Sequence, residues 1–152
     1  MISANETFDG TWPFPPCFST AAGFKQHYID EGPRDGEVVV LLHGEPTWGY
    51  LYRNMIPGLT AKYRVIVPDH MGFGKSETPQ DKEYTLRTHV ENLEALIEEL
   101  RLTDITFVGQ DWGGPITGAF TARNPKKVQR LFLMNTVLGF GGGKASGGKT
   151  PW

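Results

Sequence analysis

The stretch Ile105-Thr106-Phe107-Val108-Gly109-Gln110-Asp111-Trp112-Gly113-Gly114 decides the fold. Ile105 to Val108 is β-branched, aromatic and aliphatic, and reads as a strand. Gly113 to Arg123 reads as a helix, with Pro115 tolerated in its first turn. The junction between them, Gly109-Gln110-Asp111-Trp112-Gly113, sets a glycine two positions before and two after an acidic residue. Small residues at those places permit a strained turn that lifts the central side chain above the C-terminal edge of a sheet. The plainer alternative is that Asp111 only caps the helix, a common use of Asp.

Outward from this junction, strands and helices alternate. Val38 to Leu42 is an unbroken aliphatic run, the signature of a strand buried on both faces. The turn His43-Gly44-Glu45-Pro46 follows it. A short helical pattern runs through Leu51, Met55, Ile56 and Leu59, interrupted at Pro57. Lys25 to Asp30, Arg64 to Val67 and Leu131 to Met134 read as further strands, and Asp69 to Tyr84 as a loop. Thr85 to Leu100 is the clearest helix, with Leu86, Val90, Leu93, Ile97 and Leu100 recurring every three or four residues. This order predicts an α/β fold with a mostly parallel sheet. Residues 1–23, rich in Pro, Gly and small polar residues, read as an extended lead-in. Residues 24–136 carry the alternating elements, and 137–152 show neither period.

Composition narrows the function. The chain has 152 residues, 39% of them hydrophobic, enough for a core and, as a prior, for one domain. A net charge of −2 argues against nucleic-acid partners and an electrostatic membrane anchor. No apolar run approaches the length of a membrane span, and Met1 to Gly10 lacks the pattern of a secretory signal. Cys17 is the single cysteine, so neither an internal disulfide nor a Cys-based metal site is expected. A cytoplasmic location is the reading that follows. Glycine stands out, with 19 residues, six of them between Gly139 and Gly148.

Two glycine motifs resemble phosphate-binding loops. Gly72-Phe73-Gly74-Lys75-Ser76 fails, because the glycine needed five positions before Gly74 is Asp69. Gly143 with Gly148-Lys149-Thr150 fits the pattern, yet Pro151 follows where a helix must open. A flexible loop is the better reading of that segment.

Together, His43-Gly44-Glu45-Pro46-Thr47-Trp48, Asp69-His70-Met71-Gly72-Phe73-Gly74-Lys75-Ser76 and Gly109-Gln110-Asp111-Trp112-Gly113-Gly114 resemble the α/β-hydrolases, and specifically the haloalkane dehalogenases. The resemblance covers about Phe24 to Asn135. It implies an α/β-hydrolase fold cut before the lid and C-terminal strands, with 137–152 as the glycine-rich start of the lid region. It implies that Asp111 attacks the carbon bearing a halogen, giving an alkyl ester that water then hydrolyses. A carboxylate suits displacement at saturated carbon, where a serine would suit acyl transfer. By the same resemblance, the backbone N–H groups of Glu45 and Trp112 are the oxyanion donors, and the Trp112 indole binds the halide. Glu45 and Asn135 fit the branch that takes a second halide-binding Trp from the lid, and Trp152 falls where that residue would sit. Similar epoxide hydrolases usually carry an aromatic residue at position 45.

The hydrolytic step also needs a general base, normally an oriented histidine. His27, His43, His70 and His89 all read as structural or solvated, with His43 and His70 shaping their turns. The base and its acid are therefore expected beyond residue 152. No metal-binding spacing occurs, and no cofactor is implied. The partners expected are a small halogenated alkane and water. An epoxide hydrolase or other Asp-nucleophile hydrolase is the alternative, and a non-catalytic fragment or interaction module the third class.

Overall fold

The computed structural model describes residues 2–137. Six strands form one sheet: β1 (Cys17–Ser19), β2 (Gln26–Glu31), β3 (Glu37–Leu42), β4 (Tyr63–Pro68), β5 (Ile105–Gln110) and β6 (Val128–Met134). Their spatial order is β1-β2-β4-β3-β5-β6. The pairs β3–β4, β3–β5 and β5–β6 are parallel, whereas β1 and β2 join antiparallel at one edge. The alternation read from the sequence thus yields the expected α/β sheet. Within the lead-in, the short strand β1 adds an edge that composition did not reveal.

The aliphatic run of β3 is buried on both faces, as its pattern requires. Val40 and Leu42 face a core built with Leu93, Ile97, Phe107 and Phe120. Helices α2 (Leu86–Glu99) and α3 (Gly113–Arg123) supply that layer. Val39 and Leu41 face the opposite core, where Trp12 from the lead-in and Tyr52 are fully buried. Tyr52 lies in a 3-10 turn, Gly49–Tyr52, that precedes the short helix α1 (Ile56–Leu59). Pro57 stands in the first turn of α1, where its missing N–H is harmless, so it opens that helix rather than interrupting it.

Helix α2 starts one residue later than its apolar period predicts. Thr85 is its cap, with its side chain accepting the Thr88 N–H at 3.1 Å. Leu86, counted in the apolar period, is the first helical residue and stays 41% exposed.

Topology places the site. From β3 the chain passes to β4 on one side, then returns to β5 on the other. The carboxyl end of β3 is therefore a switch point, where loops diverge and leave a crevice. Leu42 stands opposite Gly109, so the turns leaving β3 and β5 start side by side.

Candidate functional site

Asp111 sits at the exit of β5 with φ of 51°, in the left-handed region that non-glycine residues avoid. Neighbouring groups hold it there. Its N–H donates to Met134 O at 3.4 Å, and its own carbonyl accepts the Gly114 N–H at 2.9 Å and the Thr136 hydroxyl at 2.5 Å. The capping alternative fails: the residue flanking α3 is Trp112, and no side chain caps that helix. Instead, the Asp111 carboxylate turns toward the neighbouring strand, where Oδ1 accepts the Glu45 N–H at 2.9 Å.

Two glycines make this approach possible. A Cβ on Gly44 would overlap the Asp111 side chain, and one on Gly113 would overlap Leu42 O. Gly113 therefore lets α3 start against the end of β3, and Gly44 lets the two turns touch.

The turn after β3 is held from below and beside. The Tyr52 hydroxyl donates to Leu42 O at 2.8 Å, and burial pushes its pKa well above the ordinary tyrosine value, so it stays a neutral donor. The His43 ring donates from Nδ1 to Gly44 O at 2.8 Å and accepts the His70 N–H at Nε2, 3.0 Å away. The His70 ring donates from Nε2 to His43 O at 2.8 Å. Burial holds both imidazoles below their ordinary range. His89, whose ring centre lies 5.6 Å from that of His70, is lowered to about 4, first by burial and then by His43.

Asp69 anchors the next loop. Fully buried, it accepts from Gly49 N, Lys75 N and His27 Nδ1, each at 2.8 Å. The motif Gly72–Ser76, which fails as a phosphate loop, wraps this carboxylate instead. Here a buried charge is compensated by directed donors.

A cavity of about 310 Å³ opens beside the β3 turn, lined by Glu45, His70, Tyr84, Leu86, His89 and Trp112 among others. A second, of about 400 Å³, is lined by Asp111, Trp112, Asn135 and Thr136 among others. Trp112 borders both. Of the residues the sequence points to, Glu45 lines the first cavity, Asp111 the second and Trp112 both, and the Glu45 N–H joins the two sides at Asp111. Sequence reading missed Tyr84 and Leu86 at the cavity wall and Thr136 behind Asp111. Trp152 and the Gly143–Thr150 pattern lie outside the described residues. Among the described residues, no cluster of three or more His, Cys, Asp or Glu could hold a metal, and no helix is long and apolar enough to cross a membrane.

A strand-to-helix turn with a left-handed acidic residue, facing a backbone N–H from the neighbouring strand's turn, is an arrangement found in one large enzyme fold. The family model described as "alpha/beta hydrolase fold" matches residues 37–143. The chain belongs to this family. Within the α/β-hydrolase fold, it is 47% identical over 128 residues to a haloalkane dehalogenase of Psychrobacter cryohalolentis, covering 83% of this chain and 42% of that protein. It is 42% identical over 139 residues to a cis-3-alkyl-4-alkyloxetan-2-one decarboxylase of Xanthomonas campestris pv. campestris, covering 86% and 46%. The solved structure of haloalkane dehalogenase DpaA from Paraglaciecola agarilytica NO2 superposes with a TM-score of 0.79 at 42% identity, covering 84% of this chain and 45% of that one. The α/β-hydrolase chain described here thus spans less than half the length of these relatives.

Proposed function

We propose that this chain carries the nucleophile of a hydrolase that cleaves the carbon–halogen bond of small haloalkanes. The observation that carries the reading is the 2.9 Å bond from the Glu45 N–H to Asp111 Oδ1, made by a residue that does not cap its helix. One carboxylate oxygen is fixed by an amide, and the other is the proposed attacking atom. In the proposed step, a carboxylate lone pair forms a C–O bond as the C–halogen bond breaks, and the halide leaves with the bonding pair. The Trp112 indole N–H, a donor with no acceptor role, stabilises the departing anion. Water then adds to the ester carbonyl, whose oxygen gains negative charge beside the Glu45 and Trp112 N–H groups. Collapse releases the alcohol and restores Asp111, while a base takes one proton from the water.

That base is not drawn from the histidines of this chain. His43 and His70 are committed to backbone partners and His27 to Asp69, while His89 lines the first cavity, whose wall does not include Asp111. Base and acid belong to residues outside these 152. Trp152 is the proposed second halide donor. Neither cofactor nor metal enters the scheme.

The test is incubation with 1,2-dibromoethane, followed by intact mass and peptide mapping. The expected result is one bromoethyl adduct on Asp111 and one equivalent of bromide. Sustained bromide release over many equivalents would relocate the base into this chain. Absence of any adduct would favour a non-catalytic role.

The oxetanone decarboxylase relative supports a second reading, attack by Asp111 on a strained ring. A cis-3,4-dialkyl oxetan-2-one assayed in parallel, with carbon dioxide as the readout, separates the two. Styrene oxide serves the same purpose for epoxide opening.

A further inference from the structure

We infer that His70 is a positioning residue that sets the Glu45 N–H against Asp111. The inference takes its catalytic meaning from the reading of Asp111 as nucleophile, while the geometry stands by itself.

His70 leaves the end of β4, on the far side of β3 from Asp111. It grips the β3 turn twice, through its backbone N–H to His43 Nε2 and through its ring Nε2–H to His43 O. Both carbonyl acceptors in this network have only lone pairs to offer. His70 must therefore carry its proton on Nε2, and His43 must carry its proton on Nδ1 to reach Gly44 O. His43 Nε2, which accepts an N–H, must carry none. The two rings are thereby fixed in complementary tautomers, with centres 4.2 Å apart and both side chains buried. The two carbonyls so held, of His43 and Gly44, lead into Glu45, and the Gly44 carbonyl shares its peptide group with the Glu45 N–H. Gly44 has no side chain of its own to anchor the turn. The ring of His70 supplies the lateral hold from β4, as the Tyr52 hydroxyl does at Leu42.

A residue that only filled space would be replaceable by an apolar ring. One that holds the turn through Nε2–H is replaceable by Gln, whose amide nitrogen lies near the same place. The test uses the 152-residue chain as wild type, His70→Phe and His70→Gln. Two quantities are followed: hydrogen exchange at the Glu45 amide against Val40 and Leu41 of β3, and the rate of Asp111 alkylation by 1,2-dibromoethane. His70→Phe is expected to speed Glu45 exchange and slow alkylation, each about tenfold, as loss of one such bond implies. The β3 amides keep their protection, and His70→Gln restores both quantities. Unchanged Glu45 exchange in His70→Phe, equal loss of protection in β3, or failure of Gln to restore would overturn the inference. So would ring nitrogen shifts in the wild type that put the His70 proton on Nδ1, a measurement needing no variant. If wild type forms no adduct, the nucleophile reading falls, and the exchange and tautomer data still decide the role of His70.

Discussion

The Glu45 N–H and the Asp111 carboxylate meet at 2.9 Å although 66 positions separate them in the chain. The contact exists because β3 and β5 are parallel neighbours whose carboxyl ends coincide. Each side of the pair makes its own demand on the sequence, and each can be tested.

Replacing Asp111 by Gly should abolish alkylation and leave stability nearly unchanged. The left-handed backbone costs a non-glycine residue about 1 kcal/mol or more, and glycine relieves it. The lost Glu45 bond costs about 1 kcal/mol in return. Thermal unfolding of both proteins, beside intact mass after substrate, checks the balance. A large fall in Tm would mean that the carboxylate holds the fold together.

Gly44→Ala should do the reverse, harming both properties. The new Cβ collides with the Asp111 side chain, and overpacking of this kind costs about 1–3 kcal/mol. The displaced carboxylate should react about a hundredfold more slowly, the usual penalty for a misplacement near 1 Å. Normal alkylation by this variant would show that the two turns separate freely.

At the other end of the sheet, Asp30 is paired with Arg64 through bonds of 2.9 and 2.7 Å. Burial raises the Asp30 carboxyl, but the bonds and charges of Arg64 and then Arg34 outweigh it, and the net shift is downward. Asp30→Ala leaves a guanidinium with 16% of its side chain exposed and no carboxylate, and is expected to cost about 2–3 kcal/mol in urea denaturation at pH 7. Since the folded value lies below the unfolded one, this stabilisation is full above the ordinary Asp value and fades as pH falls through the folded one.

The histidines set a separate, higher window. In the unfolded chain they take up protons near their ordinary 6.5, while the folded values of His43, His70 and His89 are lowered. The unfolded state therefore binds more protons as pH falls below 6.5, and stability declines from there, through about 4 for His89. Urea midpoints at pH 7.5, 6, 5 and 4 should drop progressively. In a His89→Phe variant that decline should be shallower. Flat midpoints across the range would mean that the imidazoles are hydrated.

Much of this was readable in advance where the signal is local. The aliphatic run of β3 announces a strand covered on both faces, and the paired glycines around Asp111 announce a tight junction. The periodic Leu and Val residues of α2 mark its buried side. What local reading could not supply were features created by approach from elsewhere. Strand β1 is three residues long and exists only because β2 lies beside it. Trp12 reads as part of a loose lead-in, yet it is fully buried because Phe14, Trp48 and Tyr50 close over it. Asp69 reads as the start of a loop, and only the convergence of His27, Gly49 and Lys75 makes it a buried hub. The sequence suggests that His70 shapes its own turn, whereas its ring reaches the turn of a different strand.

The group at position 45 that faces Asp111 is a main-chain amide, and the side chain at that position is exposed. Donor and side chain are thus uncoupled within one residue. Mutation at position 45 can redraw what the pocket accepts without disturbing the hydrogen bond aimed at Asp111. On the proposed reading, such a scaffold can change clientele in single steps, its selectivity drifting while the geometry at Asp111 is kept.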